Sequence, residues 1–152
     1  MGSTTPSPRS PEAAIPASSI ELPGLLAAIG DAGDWLKAWL APRAVPADTV
    51  FAMRLCLEEA MANIAMHGNP DGEVAIGASL AEEAGRLVLS IRDDGHPFDP
   101  LAAELPEGRD IGGNGLLLLR RYCGDIGYRR AEGRNELTLR FTLPDGSPAP
   151  GR

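Results

Sequence analysis

The sequence is poor in the residues that build disulfide frameworks and metal clusters. Its 152 residues include only two cysteines and two histidines. Cys56 and Cys123 stand far apart in the chain, with neither a C-x-x-C spacing nor a histidine cluster beside them. We therefore predict two reduced, structural thiols, and neither a disulfide framework nor a zinc site.

Long apolar runs and an excess of positive charge are also missing. No window reaches the apolar length that a membrane span requires, and the N-terminus lacks a basic segment followed by an apolar run. The formal net charge is −7, which argues against sequence-independent binding of nucleic acid, since such binding needs a basic face. We expect a cytoplasmic protein without membrane or direct nucleic-acid contacts. Five arginines could together form one basic patch, or each could simply be a solvated surface residue: Arg120, Arg121, Arg129, Arg130 and Arg134.

The two ends of the chain differ in composition from the part between them. Residues 1–16 are rich in serine, threonine, proline and alanine, and residues 144–152 are rich in proline and glycine. Such segments cannot bury enough apolar surface to become ordered. Because 43% of all residues are hydrophobic, the remainder can build a core. We predict one domain at 17–143 between two disordered tails.

Hydrophobic periodicity predicts hairpins alternating with helices. The predicted helices lie at 25–40, 47–67 and 115–123. The predicted strands lie at 18–22, 73–80, 86–92, 125–130 and 135–143, with a five-residue loop at 81–85 and a turn at 131–134. This order favours an α+β fold, a two-layer sandwich with a mixed, mostly antiparallel sheet of four or five strands and about three helices on one face.

Three polar residues recur at intervals of four on the helix at 47–67. Glu59, Asn63 and His67 should share one stripe, roughly opposite the apolar one. The amide oxygen of Asn63 suits Mg²⁺, and a carboxylate one turn earlier can orient or deprotonate a group that attacks a γ-phosphate. The alternatives are a solvated helix face for Glu59 and Asn63, and for His67 a partner to the last exposed carbonyls.

The third strand ends in two acids and a glycine. Asp93 can accept a hydrogen bond from an exocyclic amine such as that of adenine, and Phe98 between two prolines gives a rigid start to the following segment. Aspartate and glycine are also ordinary turn formers, so a turn alone remains an alternative.

A long irregular segment at 96–112 precedes a glycine-rich helix start at 112–115. Segments of this length are often lids or binding loops. Glycines permit close approach, and a helix start presents unpaired N–H groups to an anion, although most glycine-rich turns only cap or turn. Neither the Walker nor the Rossmann spacing is present.

Taken in order, these signals resemble the Bergerat-fold ATP-binding domain of the GHKL superfamily. The similarity is greatest to the single-domain anti-sigma-factor serine/threonine kinases of bacterial partner switching. Residues 59–67 resemble the N box of that family, 91–100 its G1 box, 113–116 its G2 box and 135–139 its terminal strand.

The resemblance implies a role for each matching residue. It implies that Glu59 is the general base, that Asn63 binds Mg²⁺, and that Asp93 hydrogen-bonds the adenine amine while Gly95 lets the base lie close. Residues 96–112 would be the ATP lid. The other implied nucleotide contacts are His67, Phe98, Gly113, Asn114, Gly115, Leu116 and Thr138.

The resemblance also implies partners. Members of this family bind a sigma factor and, with ATP, phosphorylate a serine or threonine of an anti-anti-sigma protein of the STAS type. We therefore expect an anti-sigma-factor kinase that uses Mg-ATP and forms a homodimer. The alternative is a nucleotide-dependent regulatory binding module without kinase turnover. Trp35 and Trp39 belong either to a dimer interface or to the core, and a partner contact for Arg109 stays open.

Overall fold

Five antiparallel strands and two long helices make up the structure, a computed structural model that describes residues 18–69, 72–100 and 119–143. The strands are β1 (Ser18–Pro23), β2 (Ala75–Glu83), β3 (Arg86–Asp93), β4 (Asp125–Ala131) and β5 (Arg134–Thr142), and the helices are α1 (Ile29–Leu40) and α2 (Ala47–His67). Single 3-10 turns lie at Leu26–Ala28 and Ala41–Arg43, and residues 119–122 are helical. The sheet order β1-β2-β3-β5-β4 confirms the α+β prediction; every described strand pair is antiparallel.

Several predicted features lie outside the described residues. These are the two tails at 1–16 and 144–152, most of the lid at 96–112 with Arg109, and the phosphate-binding residues Gly113, Asn114, Gly115 and Leu116. Within the described ranges, no helix combines the length and the apolar character needed to cross a bilayer.

Helix α2 has the predicted bounds, 47–67, because Pro46 precedes it and Gly68 follows it. Its inner face is fully buried at Met53, Leu57 and Met61, which pack in the core beneath the sheet. Burial of such side chains contributes roughly 1.5–3 kcal/mol each, so this face fixes the helix on the sheet.

The hairpin between β2 and β3 is tighter than predicted. The five-residue loop at 81–85 is wrong, because β2 continues to Glu83 and only Ala84 and Gly85 form the turn. Both turn residues have positive φ, +48° and +79°, the geometry whose twist matches that of paired strands. Glu132 and Gly133 form an equivalent turn between β4 and β5, as predicted for 131–134.

Both tryptophans hold α1 against its surroundings. Trp35 donates from Nε1 to Ser18 Oγ of β1 at 2.9 Å, and Trp39 is buried with the guanidinium of Arg43 stacked 3.7 Å above its ring. Arg43 also pairs with Glu82 at 2.9 Å. Of the two predicted roles for the tryptophans, the structure therefore supports the core.

The two cysteines are free and buried, in agreement with the predicted reduced thiols. Burial, together with the nearby Cys123, raises the pKa of Cys56 to about 12. Burial also raises the pKa of Cys123, whose Sγ donates to the carbonyls of Asp125 and Arg140. Both thiols therefore stay protonated and inert at neutral pH.

Alternation along the central strands decides which side chains meet the helices. In β3, Leu87, Leu89 and Ile91 belong to the core shared with α2. Because side chains alternate along a strand, Asp93 lies in phase with Ile91 on the helix-facing side. The end of β3 thus delivers a carboxylate to the gap between sheet and helix.

Candidate functional site

A pocket lies between the last turns of α2 and the adjoining ends of β3, β4 and β5. Its walls are mostly apolar, with a few polar groups converging at one end, as is usual for small-molecule sites. The described lining residues are Ala60, Asn63, Ile64, His67, Gly68, Ile91, Asp93, His96, Phe98, Pro100, Leu119, Tyr128, Asn135 and Leu137.

Asp93 is the only charged side chain that is buried among the described residues, with 6% of its surface exposed. Its Oδ1 accepts hydrogen bonds from the Gly95 N–H at 2.9 Å and from Asn135 Nδ2 at 3.0 Å. Within the described ranges no group donates to Oδ2. Because Asp93 lines the pocket, this oxygen is free to accept a hydrogen bond from an amine on a bound molecule.

The turn after Asp93 is packed directly on the end of α2. A Cβ at Gly95 would lie 2.7 Å from the carbonyl oxygen of Gly68 and 2.9 Å from Asp93 Oδ1. The next residue, His96, donates its N–H to that same carbonyl at 2.7 Å, and Arg130 Nη1 donates to the Gly95 carbonyl at 2.7 Å. The turn therefore requires glycine, for a reason that the sequence did not reveal.

Asn135 in β5 joins the parts of the pocket and was not among the predicted site residues. It is buried, donates from Nδ2 to Asp93 Oδ1 and to the His96 carbonyl at 2.8 Å, and accepts at Oδ1 from Phe98 N and the Tyr128 hydroxyl. Asparagine is depleted in strands, so its presence just after a hairpin turn was the available signal.

The predicted stripe on α2 is only partly in the pocket. Asn63 and His67 line it, whereas Glu59 does not. Glu59 is partly exposed and forms no hydrogen bond or ion pair with the described residues. Its neighbour Glu58 is held on the surface by Arg54 at 2.9 Å.

Asn63 is the described residue best suited to a magnesium ion. Its partly buried amide forms no hydrogen bond with the described part of the chain. No group of three or more His, Cys, Asp or Glu side chains among the described residues could hold a metal by itself. A single amide oxygen fits Mg²⁺ bound together with phosphate oxygens and water, the usual arrangement for a Mg-nucleotide.

Phe98 lines the pocket, but Thr138 does not. Thr138 stands opposite Ser90 and Gly127 in the neighbouring strands, between Leu137 and Leu139, which face the helices. Since side chains alternate along β5, the Thr138 side chain lies on the other face of the sheet. The expected contact between Thr138 and an adenine is therefore wrong for a base in this pocket. The neighbouring residue that faces the pocket is Leu137.

Comparison with known proteins identifies the family. Residues 22–141 match the histidine kinase-like ATPase domain. The chain belongs to this family. It is 34% identical to the serine/threonine-protein kinase BtrW of Bordetella bronchiseptica, over 96 residues that cover 59% of this chain and 68% of BtrW.

Solved structures show the same fold at lower sequence identity. The RsbU and RsbW domains of Rv1364c from Mycobacterium tuberculosis match 90% of this chain with a TM-score of 0.58 and 18% identity. This chain covers 34% of that structure. The histidine kinase domain of a blue-light-activated kinase from Erythrobacter litoralis matches 91% of this chain and 67% of its own, with a TM-score of 0.54 and 15% identity.

Proposed function

We propose that this protein is an ATP-dependent serine/threonine kinase of the anti-sigma-factor type. It binds Mg-ATP, sequesters a sigma factor or a similar regulator, and phosphorylates a STAS-domain anti-anti-sigma protein. The observation that carries the proposal is the similarity to a named serine/threonine kinase in a chain that keeps Glu59 and Asn63 one turn apart on α2.

The adenine end of the proposed site is the buried end of the pocket. The unused oxygen of Asp93 accepts a hydrogen bond from the 6-amino group, and the apolar walls formed by Ile64, Ile91 and Leu137 contact the faces and edges of the base. A guanine would place a carbonyl oxygen against the carboxylate, so adenine is favoured.

The phosphate end lies toward Asn63 and the side of α2 that carries Glu59. Asn63 would hold Mg²⁺, which supplies neutralisation of phosphate charge when bound. The Glu59 carboxylate accepts the proton of the attacking serine or threonine hydroxyl as the oxygen bonds to the γ-phosphorus and ADP leaves. Glu59 is partly exposed and has no partner among the described residues, so its carboxylate is available for this proton.

The kinase proposal is tested by phosphate transfer. The purified chain, labelled ATP and Mg²⁺ are incubated with each STAS-domain protein of the source organism. We expect Glu59→Gln to bind ATP normally and to lose at least a hundredfold in transfer rate, since general bases contribute about 10²–10⁴-fold. Asn63→Ala should weaken Mg-ATP binding instead.

Glu58→Gln is the matched control for Glu59→Gln. It makes the same chemical change one residue away, in a side chain that pairs with Arg54 on the exposed surface. Transfer should stay at the wild-type level in this variant. Equal transfer by wild type and Glu59→Gln would contradict the assignment of the base, and no transfer to any STAS protein would contradict the kinase.

A second candidate is a nucleotide-dependent binding module without turnover. One observation favours it: Glu59 stands outside the pocket lining that includes Asn63. Both candidates bind ATP and a regulator, so capture of partners in ADP and in ATP, followed by phosphosite mapping, separates them. Steady formation of phosphoprotein supports the kinase, and ATP-dependent capture without phosphoprotein supports the module.

Homodimer formation is a further part of the proposal, drawn from the family resemblance. Sedimentation equilibrium of the purified chain tests it directly. We expect about twice the mass of 16.0 kDa. A monomer at micromolar concentration would contradict this part while leaving the kinase proposal intact.

A further inference from the structure

We propose that Asn135 is the positioning residue for base recognition: it fixes the Asp93 carboxylate so that one defined oxygen reads the exocyclic amine. The inference rests on the proposed binding of ATP in this pocket. It concerns a residue of β5 that lies 42 positions from Asp93 in sequence and meets it through strand pairing.

The orientation of the Asn135 amide is determined by its neighbours. The Phe98 N–H can only donate, and it faces Asn135 Oδ1 at 3.3 Å. The His96 carbonyl can only accept, and it faces Nδ2 at 2.8 Å. A flipped amide would set donor against donor and acceptor against acceptor, so Nδ2 must point at Asp93.

The fixed amide in turn fixes the carboxylate. Asp93 Oδ1 accepts hydrogen bonds from Asn135 Nδ2 and from the Gly95 N–H. The buried Asp93 lies directly opposite Asn135 where β3 pairs with β5. Rotation of the carboxylate would break both hydrogen bonds. The oxygen that remains for the pocket is therefore Oδ2, an acceptor that suits an amine and repels a carbonyl.

Asn135 also ties the same carboxylate to the start of the following segment. Its amide bonds the backbone of His96 and of Phe98, the first and third residues after Gly95. The Tyr128 hydroxyl adds a fourth hydrogen bond on the side away from Asp93. Because all four hydrogen-bonding sites of the amide are used, the Asn135 side chain positions both the Asp93 carboxylate and the backbone that follows Gly95.

The test compares two nucleotides that differ only in the amine. ATP and purine riboside triphosphate, which lacks the 6-amino group, are titrated calorimetrically into wild type, Asn135→Asp, Asn135→Ala and Glu136→Gln. Wild type should prefer ATP by roughly ten- to a hundredfold, the range for one hydrogen bond to a charged group. Glu136→Gln changes the neighbouring β5 residue, which pairs with Arg129 outside the pocket lining, and should retain this preference.

Asn135→Asp keeps the shape but replaces the two Nδ2 donors with a second carboxyl group that can share at most one proton with Asp93, and Asn135→Ala removes both donors without adding charge. In both variants the preference for ATP should fall to within about threefold of unity. A merely structural role would weaken the two nucleotides equally and leave their ratio unchanged, and an unchanged ratio in either folded variant overturns the inference while the ATP site stands. Wild type that binds neither nucleotide overturns the proposed ATP site and this inference with it.

Discussion

Replacing Gly95 by alanine should damage both the fold and the nucleotide site. The added Cβ would lie 2.7 Å from the Gly68 carbonyl oxygen and 2.9 Å from Asp93 Oδ1. Gly95 is not among the described residues with positive φ, so the backbone itself accepts alanine and the cost is steric. Both neighbours are held in place, one at the end of α2 and the other by Asn135. Relieving such contacts costs about 1–3 kcal/mol in the free energy of unfolding.

The same displacement should reach the bound base. Moving the turn breaks or lengthens the Gly95 N–H to Asp93 Oδ1 hydrogen bond and the His96 N–H to Gly68 bond. We expect ATP affinity to fall by about tenfold or more, the lower range for one charge-assisted hydrogen bond. Urea unfolding and calorimetric titration of ATP measure the two effects.

Gly127→Ala is the matched control for Gly95→Ala. A Cβ at Gly127 would meet nothing within 4 Å, and this glycine also lacks a positive φ. Its stability should stay within about 0.5 kcal/mol of wild type, with ATP affinity unchanged. If Gly95→Ala behaves like Gly127→Ala in both assays, the close packing of the turn on α2 is refuted.

Three further predictions concern the scaffold. Because the pKa of Cys56 is raised from 9.0 to about 12, the unfolded chain loses this proton first. The contribution of this thiol to the free energy of unfolding is complete below about pH 9 and falls as the pH rises, by at most ~1.4 kcal/mol per pH unit. In Cys56→Ala the urea midpoint should therefore depend less on pH between pH 8.5 and 10.5 than it does in wild type. Met61→Ala should cost about 2–5 kcal/mol because its side chain is fully buried, whereas Met66→Ala, 59% exposed, should cost under ~0.5 kcal/mol in the same urea assay. Gly30→Ala in α1 has free space and should raise the melting temperature by the equivalent of about 0.5–1 kcal/mol.

Local patterns predicted the scaffold well where breakers frame an element. Pro46 and Gly68 set the ends of α2, and the turn at 131–134 lies where the glycine allows positive φ. The five-residue loop at 81–85 failed because alanine and glutamate are depleted in strands, and residues 81–83 are held in β2 by pairing with β3.

The site was predictable only in part, because its geometry depends on pairing between distant segments. Asp93 and Asn63 could be recognised from their motifs, but Asn135 meets Asp93 only through the register of β3 and β5. The prediction that Glu59, Asn63 and His67 share one stripe of α2 was also too simple. Residues four apart are offset by about 40° around a helix, so Glu59 lies about 80° from His67 and leaves the pocket. Thr138 was misplaced although the alternation of β5 could have shown it.

A titration with ATP tests whether the pocket binds the nucleotide through Asp93. Asp93→Asn keeps an acceptor toward Gly95 and Asn135 but turns the other oxygen into a donor facing the adenine amine. Asp94→Asn is the neighbouring control, an exposed residue whose bond to the Ala75 N–H survives the change. Wild type and Asp94→Asn should bind ATP equally, and Asp93→Asn should bind it at least tenfold more weakly. Equal ATP affinity in all three proteins, or none in wild type, would contradict binding through Asp93.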